Sequence, residues 1–123
     1  MAKPLSTDQP PYFKKYIDLV SGDEIQEAFK TQQTQLAAML NAIPDSKADY
    51  AYAEGKWTVK QLLQHVIDAE RIFAYRALWI ARKAAEPLPG FDEDAFAAVA
   101  DVSQRSLQDL KNELVAVRTA TQY

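Results

Sequence analysis

Cysteine is absent from the 123 residues, so no disulfide framework holds the chain, and no thiolate of its own can bind a metal or attack a substrate. Glycine is scarce, with three residues, and β-branched clusters are few; both weigh against a β-sandwich, whose many short strands need frequent turns. Histidine occurs once, which leaves a single imidazole for any metal or acid/base chemistry. No stretch approaches the roughly 18 uncharged apolar residues of a membrane-spanning helix. The lead Met1-Ala-Lys-Pro-Leu-Ser-Thr-Asp also lacks the apolar centre of a secretion signal, so cytoplasmic residence is the expectation. Neither sign of charge dominates. The net charge is −3, with Lys and Arg scattered singly or in pairs, which gives no electrostatic reason to expect nucleic acid or a membrane as partner.

What is present suits a folded domain. Apolar residues make up 48% and charged residues 25%, and 123 residues are enough for one core, so a single domain over 1–123 is expected. The pattern along the chain is helical. After a Pro-rich lead, residues 1–20 carry Tyr12, Phe13, Tyr16, Ile17, Leu19 and Val20, enough apolar surface for an ordered arm. Ser21-Gly22-Asp23-Glu24 has the form of a capping box, and Ile25, Phe29, Leu36, Met39 and Ile43 then recur at helical spacing, predicting a helix over 23–42 that Pro44 stops. A second start is sharper: Thr58 can cap, Gln61 stands at the third helical position, and Trp57 can staple onto Leu62. The stripe Val59, Leu62, Leu63, Val66, Phe73, Ala77, Ile80 and Ala81 predicts a helix running to Pro87, about 27 residues or 40 Å long. Acidic Asp92, Glu93 and Asp94 open a short helical piece within 91–100, and a last helix runs from near Ser103 through Leu107, Leu110, Leu114, Val117 and Thr121. Three long helices with one extended connection between the second and third describe most of an all-α four-helix bundle with a crossover. One covering element is missing from that count, which predicts either a C-terminally incomplete domain or cover supplied by another chain.

Few residues can carry chemistry. Turning 100° per residue about a stripe centred between Leu62 and Leu63, His65 falls about 110° from the centre, at the edge of the buried face. It reads either as a half-exposed side chain or as a ligand or acid/base group. Asp68, one turn on, could share a cation with His65, hold its ring, or simply be solvated. Glu70 lies about 140° around the helix from His65 and about 30° from the stripe centre, so the two cannot readily share one ion. A carboxylate aimed at the core needs a partner, and Arg118 lies near the apolar face of the last helix, so a Glu70–Arg118 pair is expected. Gln32 is a polar residue on the first stripe, at either an internal site or the wet end of the bundle. The residue content contains no Glu-x-x-His pair of a di-iron bundle, no His-Glu-x-x-His zinc helix, no Gly-rich phosphate loop and no serine nucleophile with its own elbow.

The stretch Glu54-Gly55-Lys56-Trp57-Thr58-Val59-Lys60-Gln61-Leu62-Leu63-Gln64-His65-Val66-Ile67-Asp68-Ala69-Glu70-Arg71 resembles the DinB-like (DinB/YfiT) superfamily, whose second helix opens on a Trp-Ser/Thr turn and carries a His followed by an acidic pair. Tyr16-Ile17-Asp18-Leu19-Val20, Pro87-Leu88-Pro89-Gly90-Phe91-Asp92 and Arg118-Thr119-Ala120-Thr121 extend the resemblance over nearly the whole chain. It implies a four-helix bundle with a long link between helices two and three, often a homodimer, holding a divalent metal such as Zn or Ni on three histidines. His65 matches the first metal ligand; the other two belong to a His-x-x-x-His helix near the family's C-terminus, which this sequence does not include. The activities implied are thiol-dependent S-transfer or isomerisation, with a small thiol and an electrophilic substrate, or metal-dependent hydrolysis. With one ligand in place, the resemblance implies an inactive 123-residue chain; no other catalytic residue is assigned. The competing expectation is a non-catalytic helical module that homodimerises through its uncovered apolar seam.

Overall fold

The computed structural model describes residues 10–123; the polar lead before them lies outside the described residues. The described residues form five α-helices: α1 (Pro11–Ile17), α2 (Ile25–Ala42), α3 (Val59–Ala81), α4 (Glu93–Val99) and α5 (Leu107–Thr121), with one 3-10 turn, Asp45–Lys47. The all-α class and three long helices agree with the sequence reading. The second of these, α3, starts as its residues dictate: Gln61 N–H donates to Thr58 Oγ1 at 3.2 Å, and Thr58 N–H donates to Gln61 Oε1 at 2.8 Å, a reciprocal capping box.

Other boundaries differ from expectation, each for a local reason. The box expected at Ser21 does not form. Gly22 at φ 83° turns the chain, leaving Ser21 outside, and α2 begins after an extended Glu24 with no side-chain cap. The α3 helix stops at Ala81, short of Pro87. Lys83 takes the left-handed conformation at φ 55°, its N–H reaching Ile80 O and that of Ala84 reaching Trp79 O, a Schellman closure made without glycine. The connection is then tied back to α3: Trp79 Nε1 donates to Glu86 O at 2.9 Å and Arg76 Nη2 to Pro89 O at 3.0 Å. Asp92 caps α4 through Ala95 N–H, and Ser106 caps α5 through Asp109 N–H, so the last helix starts later than Ser103, which instead donates its N–H to Asp101 Oδ1.

The crossover from α3 to α5 returns the chain to the end where α3 began. Gln64, Arg71 and Glu70 of α3 meet Arg105, Glu113 and Arg118 respectively, so α5 runs parallel to α3. The opposite direction holds for α2, whose Leu40 joins the core near the starts of both helices while Gln33 meets Thr119 at their other end. The core is Leu40, Leu63, Ile67, Leu107, Leu110 and Leu114, flanked by Leu36, Ile43, Val59, Val66 and Val117. Two lysines are buried at its edge with partners: Lys111 Nζ donates to Ile43 O at 2.7 Å, capping the end of α2 with a cation, and Lys60 pairs with Asp49 at 3.0 Å.

This packing corrects the orientation of α3. Its buried face is Lys60, Leu63 and Ile67, whereas Leu62 is 49% exposed and Phe73 60% exposed. The helix carries two apolar rows, and only one meets α5 and α2.

Candidate functional site

With the buried face centred between Leu63 and Ile67, His65 projects roughly 180° away from it, opposite the core rather than at its edge. It is nevertheless half-buried. The indole of Trp57 covers the imidazole, ring centroids 4.8 Å apart and planes inclined by 42°. The capping box holds this arrangement, because it fixes the backbone of Thr58 immediately after the indole.

Asp68 is not a free carboxylate beside that ring. Its Oδ1 accepts a hydrogen bond from Gln64 Nε2 at 2.9 Å, and Gln64 Oε1 in turn accepts from Arg105 Nη1 at 2.9 Å. Arg105 continues to Glu113 of α5, which Arg71 of α3 also grips at 2.6 Å. Burial pushes the Glu113 carboxyl up, and the hydrogen bonds and charges of Arg71 and Arg105 more than offset this, holding it below the usual glutamate value. Sequence reading did not assign Gln64, Arg71, Arg105 or Glu113 to any site. The one available signal was that Gln64 and Arg71 stand two turns apart on one side of α3.

A carboxyl held low in the folded state stabilises the protein above its unfolded value near pH 4.3, and that contribution is lost as pH falls through the folded value. Urea melts should therefore show Glu113→Gln less stable than wild type at pH 7, with the difference shrinking as pH is lowered to about 3. An undiminished difference at the lower pH would mean that Glu113 acts there by packing alone.

Glu70 and Arg118 meet as expected, Oε1 to Nη1 at 3.3 Å, with 11% and 17% of their side chains exposed. The contact is coulombic. Glu70 Oε1 and Arg118 Nε are enclosed without a hydrogen-bond partner, and the guanidinium rests over Phe29, 5.5 Å from the ring centre. Gln32 lies at the wet end: it is exposed and lines a cleft of about 410 Å3 between α1 and α2. Its neighbour Gln33 is the polar residue at the α2–α5 seam, bonded to Thr119 and Gln122.

A divalent metal centre does not fit these residues alone. Among the described residues, no group of three or more histidines and carboxylates stands close enough to hold an ion. His65 contributes one nitrogen, Asp68 is drawn into the Gln64–Arg105 chain, and Glu70 is on another face.

Comparison with known proteins places this geometry in context. The model of the DinB superfamily matches residues 28–123. A protein of Oceanobacillus iheyensis named "Putative metal-dependent hydrolase" is 28% identical over 88 residues, covering 68% of this chain and 50% of the relative. The chain thus spans about half the length of the curated relative it matches. No solved structure gives a significant match.

Proposed function

This chain belongs to the DinB superfamily, and from that premise we propose that it is a domain of a cytoplasmic divalent-metal enzyme to which it supplies one ligand, His65. The observation that carries the reading is the placement of the only imidazole: opposite the core on α3, half-buried, with Trp57 against its ring. A metal-dependent hydrolase is favoured by the name of the matching relative; a thiol-dependent S-transferase using Zn or Ni, a small thiol and an electrophilic substrate is the other activity consistent with the resemblance. One imidazole, with no group of three ligands around it among the described residues, would by itself hold a cation only weakly.

The contact between indole and imidazole supplies a test. In a Trp79→Phe background Trp57 is the only tryptophan, and a paramagnetic ion at His65 quenches its fluorescence. Titration with Ni2+ should give weak quenching, saturating well above the micromolar range, and His65→Ala should remove it. Absence of His65-dependent quenching would remove His65 as a ligand; tight binding of one ion per chain would show that a single imidazole is not the whole site.

A second reading is a non-catalytic helical module that homodimerises through its uncovered seam. It is favoured by a specific observation, the exposure of Leu62, Phe73 and Ile80 along one side of α3.

A further inference from the structure

Gln64 stands in a chain of hydrogen bonds whose direction is fixed from one end. Its amide has an acceptor oxygen and a donor nitrogen, and a guanidinium can only donate. Arg105 therefore decides which way the amide faces. Its Nη1 donates to Gln64 Oε1 at 2.9 Å, which leaves Gln64 Nε2 to donate to Asp68 Oδ1, also at 2.9 Å. Arg105 is itself anchored, because the same Nη1 meets Glu113 Oε2 while Arg71 grips the other oxygen of that carboxylate. A flipped amide would set its NH2 against the guanidinium and its oxygen against a carboxylate, two repulsions at once.

Asp68 lies between Gln64 and His65 around the helix. At 100° per residue it stands about 40° from Gln64 and about 60° from His65. Side chains three residues apart on a helix are neighbours, so a free carboxylate at 68 could join an ion on the imidazole at 65. We propose that Gln64 is a positioning residue: it holds the Asp68 carboxylate on the α5 side of α3 and so withholds it from a cation at His65. The helix then offers that cation a nitrogen and no oxygen, a donor that suits Ni or Zn better than Mg or Ca. The choice is tied to α5, since the amide takes its direction from a residue 41 positions away.

This inference rests on the reading of His65 as a ligand and adds what its neighbours do to the site. The test is Ni2+ quenching of Trp57 in the Trp79→Phe background, in about 1 M salt, where a Debye length of about 3 Å screens bare changes of charge. Gln64→Glu keeps an oxygen for Arg105 but has no hydrogen for Asp68, so it frees that carboxylate while the tie to α5 stands. The expected result is a Ni2+ midpoint several-fold lower in Gln64→Glu than in wild type, restored to the wild-type value when Asp68→Asn is added. Asp68→Asn alone should leave the midpoint where it was. A gain that survives Asp68→Asn comes from the substituted side chain at 64 and would overturn the assignment. So would an unchanged midpoint in Gln64→Glu, or weaker binding in Asp68→Asn alone, which would mean that Asp68 already reaches the ion. Wild type without His65-dependent quenching would remove the ligand reading, and this inference with it. Circular dichroism checks that the helices of each variant are intact.

Discussion

Leu110→Ala lowers the stability of the chain by about 2–5 kcal/mol, measured by urea denaturation at pH 7, because the side chain is fully enclosed and its loss leaves a cavity as well as lost burial. Leu110 lies where α2, α3 and α5 converge, in one cluster with Leu40, Leu63, Ile67 and Leu114. The collapse of neighbours into the space is limited because all four are themselves buried. The matched control is Leu62→Ala at low protein concentration. The residue type is the same, but at 49% exposure the side chain has given up far less contact with water. Its cost should be well under half that of Leu110→Ala. Equal losses at the two positions would mean that the inner and outer rows of α3 have been exchanged.

Breaking the Glu70–Arg118 pair has the next largest effect. Glu70→Gln leaves the Arg118 guanidinium without its counter-charge in a site where only 17% of that side chain reaches water. A fully buried pair broken on one side costs about 3–5 kcal/mol. Here residual exposure and support from the Phe29 ring reduce that to about 2–3 kcal/mol. The double variant Glu70→Leu with Arg118→Met should recover most of the loss, because neither charge is then enclosed and the unsatisfied Oε1 and Nε atoms are gone. Thermal melts of the wild type and the two variants decide the matter. Unchanged melting of Glu70→Gln would show that the pair is solvated in solution, and a double variant as unstable as the single would show that the two residues matter for packing rather than charge.

The helix starts that could be read are those whose signals act within one turn. Thr58 and Gln61 are three residues apart and satisfy each other, so no other part of the molecule is needed to form that cap. Ser21 has the same local form and fails, because the left-handed turn at Gly22 separates it from the helix. The end of α3 was not legible, since a lysine occupies the left-handed position that glycine usually marks. The Glu70–Arg118 pair was legible from polarity: each side chain lies on an otherwise apolar face, and a charge there needs its opposite. The chain from Asp68 through Gln64 and Arg105 to Glu113 and Arg71 was not, because every member is a common surface type and nothing local announces its partner.

The amino-acid sequence alone determined the helical class, the long rods, the reciprocal cap of α3, the limit of one imidazole, and the resemblance that the family match over 28–123 bears out. The tertiary structure decided which apolar row of α3 faces the core, that His65 stands opposite that core under Trp57, and that Asp68 is held by Gln64. The physical reason is one of range. Caps and periodicity are contacts between residues three or four apart, whereas the choice between two apolar rows is made by the register of α3 against α5, and the side chains that set it lie some 40 residues away along the chain, as Gln64 and Arg105 do.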